Sequence, residues 1–137
     1  MQAGARELVA LSADERRLAH DIWREGLSRR GGEALYADLA EGESLEDLLD
    51  HLLESGCLWA FVDDRAERIA YAILRGGVIE MLFVRPKWRR QGVGQKFLRS
   101  LVDHGARDGR ALPGDRATKS LYESVGWKAR LLTMRAE

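Results

Sequence analysis

Residues 84 to 98, VRPKWRRQGVGQKFL, place Arg85, Lys87, Arg89 and Arg90 within six positions, then Gly92 and Gly94, then the start of an amphipathic run. The chemistry that this pattern suits is the binding of an anion. A strand stopping at Val84 and a helix starting near Gly92 bracket a loop at one end of a sheet. The first-turn amides of that helix have no internal partners, and the helix dipole adds partial positive charge there. Such a terminus suits phosphate. Glycines at 92 and 94 let a pyrophosphate approach the backbone without a β-carbon in the way, and the four cations supply charge nearby.

Two named phosphate motifs are excluded. A P-loop needs Lys-Ser/Thr after its last glycine, whereas Gly94 is followed by Gln95 and Lys96. A dinucleotide fingerprint needs a third glycine where Phe97 stands. A nucleic-acid patch with Trp88 as a stacking group stays open, and the charge balance speaks against it. Lys+Arg and Asp+Glu both number 22 in 137 residues, so no long-range field draws a polyanion or an anionic membrane. The single cysteine, Cys57, excludes an intramolecular disulfide and a cysteine-based zinc cluster. His20, His51 and His104 lie far apart, which gives no support for a metal site. No segment resembles a signal peptide and no apolar run approaches the ~20 residues of a membrane helix, so a cytoplasmic protein is expected.

The length fits one domain, 1–137, burying roughly 68% of the unfolded chain's surface. A short strand is expected over Glu7 to Leu11. Ser12 with Glu15 three residues on forms a capping box that starts a helix, fading near Gly26 before SRRGGEA turns the chain. Ser44 caps a second helix, in which Leu45, Leu48, Leu49, Leu52 and Leu53 share one face. The runs 57–63, 68–74 and 78–84, joined by short turns, predict three antiparallel strands, the last ended by Pro86. A helix from about Gly92 to Arg107, a short strand within RALPG (110–114), a helix over ATKSLYESV (117–125) ended by Gly126, and a last strand over WKARLLTMR (127–135) complete the order βααβββαβαβ. This is a mixed-sheet α/β layer rather than a doubly wound domain.

The stretch RRQGVGQKFL after a strand resembles the Arg/Gln-x-x-Gly-x-Gly/Ala signature of the GNAT superfamily of acyl-CoA-dependent N-acyltransferases, carried here by Arg89, Gly92 and Gly94. SLYESVGW, residues 120–127, resembles the family's second signature. The order of elements is similar along essentially the whole chain. The resemblance implies a splayed, mostly antiparallel sheet with acetyl-CoA wedged between the strand ending at Val84 and the RALPG strand. It implies a pyrophosphate cradled by the amides of Arg89, Arg90, Gln91, Gly92, Val93 and Gly94, and a pantetheine arm paired with backbone at Leu82, Phe83 and Val84. It implies no metal, a small-molecule or peptide amine as acceptor, and a homodimer as the arrangement frequent in the family. Asp115 stands where many relatives carry an asparagine that contacts CoA; an acid there repels phosphate, with Arg116 beside it to compensate.

The implied reaction is acetyl transfer to a primary amine by direct attack. A lysine-like amine with pKa ~10.4 must lose a proton first, and the departing thiolate needs an acid. The resemblance puts Tyr122 near the CoA sulfur, and its neutral hydroxyl can donate there. Glu80 is the candidate base: it is the only charged residue in VIEMLFV, and alternation sets it on the face of Leu82 and Val84, where burial would raise its pKa. The other reading of the same signatures is a non-catalytic acyl-CoA sensor or interaction module.

Overall fold

The computed structural model describes residues 3–112, 115–131 and 134. Ten elements follow in order: β1 (Gly4–Glu7), α1 (Ala13–Leu27), α2 (Gly32–Ala40), α3 (Leu45–Glu54), β2 (Leu58–Val62), β3 (Arg68–Arg75), β4 (Val78–Val84), α4 (Val93–Asp103), β5 (Asp108–Gly109) and α5 (Arg116–Ser124), with a 3₁₀ turn at Pro86–Trp88 after β4. The five strands form one sheet in the order β1-β2-β3-β4-β5, antiparallel except where β5 runs parallel to β4. No described helix is long and apolar enough to cross a membrane.

Local signals account for most of these elements. The Ser12 capping box is formed: Ser12 Oγ accepts the Glu15 amide at 3.1 Å and Glu15 Oε1 accepts the Ser12 amide at 2.9 Å, an arrangement worth about 1 kcal/mol. Ser44 Oγ caps α3 by accepting the Asp47 amide at 3.1 Å. The two sheet faces bury separate cores. Phe97, Leu98 and Leu101 of α4 pack with Phe61, Ala70, Ala72 and Ile79. On the other face Leu39, Leu48 and Leu52 pack with Leu58, Ala60 and Ile73. Phe97 is fully buried, so truncating it to alanine would cost about 3–5 kcal/mol.

Five expectations are corrected. The first strand is Gly4–Glu7 rather than Glu7–Leu11: Val9 is 82% exposed, and pairing with β2 runs from Gly4 opposite Val62 to Glu7 opposite Trp59. Three helices, not two, precede β2. The GG pair read as a turn is the start of α2, where Gly31 caps at φ 78°. A β-carbon on Gly32 would lie 1.9 Å from the Gly26 carbonyl oxygen, so this glycine is there for close approach of α1 and α2. The fifth strand is Asp108–Gly109, just before RALPG, of which Pro113 and Gly114 lie outside the described residues. No strand occurs over Trp127–Leu131, and residues 132, 133 and 135 of that expected strand lie outside the described residues. The helix after Gly92 ends at Asp103, four residues short of Arg107.

The feature that shapes the site is a bulge in β4. Leu74 pairs with Ile79 and Ile73 with Met81, so Glu80 is an extra residue with no partner of its own. The bulge reverses the alternation. Ile79, Leu82 and Val84 face α4 and α5, while Met81 joins the core under α3. The expected shared face of Glu80 with Leu82 and Val84 therefore rests on an alternation that breaks at Glu80 itself.

Candidate active site

β5 pairs only with Val78 and Ile79, so the edge of β4 from Glu80 onward has no strand beside it among the described residues. The Ile79 carbonyl faces β5 and accepts the Arg110 amide at 3.0 Å. At the far end the Val84 carbonyl accepts Arg89 Nε at 2.9 Å, while the Arg85 amide turns to β3. By alternation the N–H and C=O of Leu82 share the open side with those of Val84, and those of Phe83 turn to β3. β4 and β5 thus part as a fork beyond Ile79, and no strand meets the outward N–H and C=O of Leu82 or the N–H of Val84 among the described residues.

Beyond the 3₁₀ turn the chain reaches the helix start that the sequence singled out. Arg90 (φ 63°) and Gly92 (φ 76°) are both left-handed and Gln91 between them is not. Backbone of alternating hand turns successive N–H groups toward a common side and makes an anion-binding concavity. A β-carbon added at Gly92 would meet nothing within 4 Å, so this side of the first turn of α4 is bare. Gly94 plays a different part from the one expected: its missing β-carbon faces Leu121 of α5 and Val84, at 3.2 and 3.8 Å, and it serves helix packing. Val93 is buried in the core behind the turn. Two of the basic residues lie over aromatic rings. Arg89 lies over the Phe83 ring at 5.1 Å, and Arg85 lies over the Tyr71 ring at 5.3 Å. Gln91 donates to the Lys87 carbonyl at 3.0 Å. A phosphate would therefore be met chiefly by amides. The residues present fit a pyrophosphate group.

Tyr122 lies at the closed end of the fork. Its ring stacks on Trp127 at 5.4 Å, packs against Gly109, and its hydroxyl donates to the Arg110 carbonyl at 3.3 Å. Burial, with the Asp115 charge adding to it, pushes the phenol well above its ordinary pKa. It keeps its proton at any physiological pH. Asp115 is committed elsewhere: Oδ1 caps α5 by accepting the Thr118 amide at 3.0 Å, Oδ2 accepts the Thr118 hydroxyl at 2.7 Å, and Arg29 lies 3.8 Å away. Glu80 is buried with each oxygen beside a guanidinium, Arg75 Nη2 at 3.3 Å and Arg110 Nε at 3.6 Å.

Sequence reasoning missed two features. Between α1, α3 and the sheet lies an apolar cavity of about 70 Å³, lined by Leu18, Ile22, Trp23, Leu49, Met81 and Phe83 among others. At its edge Glu15 accepts from the Tyr71 hydroxyl at 2.7 Å and from Arg68 at 2.9 Å, and Arg85 donates to the same hydroxyl at 2.7 Å. The capping box revealed Glu15 only as a cap; its remaining partners lie more than 50 residues on, which no local pattern reveals.

The acetyltransferase (GNAT) domain profile matches residues 48–129, from α3 through the second signature. The chain belongs to the GNAT acetyltransferase family. It is 32% identical over 83 residues to the peptidyl-lysine N-acetyltransferase YjaB of Salmonella typhimurium, covering 61% of this chain and 52% of that protein. The chain thus spans about half the length of the curated relative it matches. Among solved structures it is similar to a mutant of the BH1408 protein from Bacillus halodurans, with TM-score 0.69 and 18% identity over 97% of this chain and 98% of that one. It is similar too to a GNAT superfamily phosphinothricin acetyltransferase from Sinorhizobium meliloti, solved with AcCoA, with TM-score 0.57 and 20% identity over 92% and 75% of the two chains. At such identities the structural likeness establishes the GNAT fold: a mixed sheet flanked by helices.

Proposed function

We propose that this GNAT domain transfers an acetyl group from acetyl-CoA to a primary amine by direct attack. The observation that carries the reading is the edge of β4 left without a strand past Ile79, with the left-handed turn at Gly92 following one end and Tyr122 bonded to Arg110 at the other. Acetyl-CoA would supply an activated thioester, whose carbonyl carbon gains a bond to the amine nitrogen as the carbon–sulfur bond breaks. The first-turn amides of α4 and the bare side of Gly92 would hold the pyrophosphate. The outward N–H and C=O of Leu82 and the N–H of Val84 would orient an extended amide-bearing arm as an added strand does.

Tyr122 holds the proton that a departing thiolate would take. Its present bond, 3.3 Å to a neutral carbonyl, is long, and a charged acceptor would draw the hydroxyl into a shorter, stronger one. The proton of the amine passes to water in this reading, because both oxygens of Glu80 already face guanidiniums. For the acceptor, the name of the curated relative points to lysine side chains. The apolar cavity beside Met81 and Phe83 would suit an aliphatic stem of that kind.

Release of CoA thiol with a panel of amines, lysine peptides first, tests the proposal. Turnover that depends on both substrates supports it. Tight acetyl-CoA binding with no turnover across the panel would instead indicate the sensor reading, and no binding at all would remove both.

A further inference from the structure

Among the described residues Glu80 is one of three buried acidic side chains, with Glu15 and Asp63. Glu15 caps a helix and Asp63 accepts the amides of Arg65 and Glu67 in the β2–β3 turn. The Glu80 carboxylate is met instead by two arginines, Arg75 and Arg110. Arg75 is the last residue of β3, and Arg110 is the first residue after β5. The pairing that holds β5 is slight. It consists of two residues opposite Val78 and Ile79, flanked by bonds from the Arg107 and Asp108 amides to the Gly77 carbonyl and from the Arg110 amide to the Ile79 carbonyl. The Glu80 carboxylate meets Arg110 where the chain leaves this short ladder, and the Arg110 carbonyl is the group that receives the Tyr122 hydroxyl.

We propose that Glu80 is a positioning residue. Through Arg110 its carboxylate fixes the closed end of the β4–β5 fork, and with it the carbonyl that aims the Tyr122 hydroxyl. The bulge is what allows this: the extra residue carries a charged side chain to the fork while Ile79 and Met81 keep their places in the two cores. The proposal rests on the acetyl-transfer reading only for its kinetic consequence; its structural part stands without it.

The test uses the whole chain with the isosteric variant Glu80→Gln and with Arg110→Gln and Arg110→Lys, whose side chain is half exposed in the native protein. In the cofactor-free protein, exchange of the two amides that bond to the β4 side, those of Asp108 and of position 110, should speed up by about tenfold in both Gln variants and stay near native in Arg110→Lys. In turnover assays both Gln variants should lower kcat by about tenfold at little changed acetyl-CoA affinity, keep the acidic limb of the pH–rate profile, and show no further loss when combined. Native exchange rates in Glu80→Gln would overturn the proposal. So would loss of the acidic limb in Glu80→Gln alone, which would make Glu80 a base. If no amine supports turnover, the exchange arm still decides the structural part, so failure of the acetyl-transfer reading and failure of the positioning role are told apart.

Discussion

A β-carbon placed on Gly109 would lie 2.4 Å from Cζ of Tyr122: the tyrosine ring occupies the side-chain space of the fifth strand. The residue proposed as the acid is therefore positioned by the absence of a side chain on its neighbour. Gly109→Ala should push the ring out of the fork. The expected result is a loss of about 1–3 kcal/mol in stability together with a larger fall in kcat than in acetyl-CoA affinity. Urea melts beside steady-state kinetics check it, and a fully active, native-stability Gly109→Ala would show that the ring position does not matter.

Tyr122→Phe isolates the hydroxyl from the ring. Because that hydroxyl makes one long bond to a carbonyl, its removal should cost no more than about 1 kcal/mol of stability. Loss of a general acid should lower kcat by about 10²-fold, with acetyl-CoA binding by calorimetry unchanged. Native turnover in this variant would remove Tyr122 as the acid.

At the other end of the fork, Gly92→Glu sets bulk and negative charge beside the bare first turn of α4. Loss of acetyl-CoA binding by at least about tenfold is expected, read as loss of the thermal shift given by the donor. Gly92→Ala separates backbone from charge: at φ 76° alanine should cost about 1 kcal/mol in stability and leave binding largely intact. Retained binding in Gly92→Glu would sink the assignment of this turn to the pyrophosphate.

The Glu15–Tyr71 bond predicts two pH limbs of stability. Burial opposes the charge on Glu15, but the Ser12 amide, the Tyr71 hydroxyl and Arg68 outweigh it and hold the carboxyl below its ordinary 4.5. A depressed carboxyl stabilises the fold above its unfolded pKa, and that contribution is lost as pH falls below 4.5 through the folded value. Burial, and next the bond to Glu15, push Tyr71 up to about 12. A raised phenol contributes fully below pH 10.0, and its contribution is lost as pH rises through about 12. Urea midpoints across pH should show Glu15→Gln flattening the acid limb and Tyr71→Phe flattening the alkaline one. Parallel curves for variant and native protein would contradict the linkage.

The features legible along the chain are those whose cause is local. The Ser12 and Ser44 caps, the leucine stripe of α3, the hairpins at 63–68 and 75–78, and the glycine turn into α4 each depend on residues within one or two turns of one another, so spacing alone reveals them. The two signatures gave the family in the same way, since each is a short string in one strand–turn–helix or helix–turn context. Tertiary structure decided the rest because the forces involved act between distant segments. The start of α2 is set by a glycine contact with α1 that a GG turn does not predict. Bulging at Glu80 is a matter of register between β3 and β4, and register is fixed by which faces bury their apolar residues, not by the strand's own pattern. The expected base was read from an unbroken alternation and the CoA contact from a motif position. In the fold, the Glu80 carboxylate sits between Arg75 and Arg110, and the Asp115 carboxylate caps α5, because burying a charge selects for whatever partners the fold brings within reach.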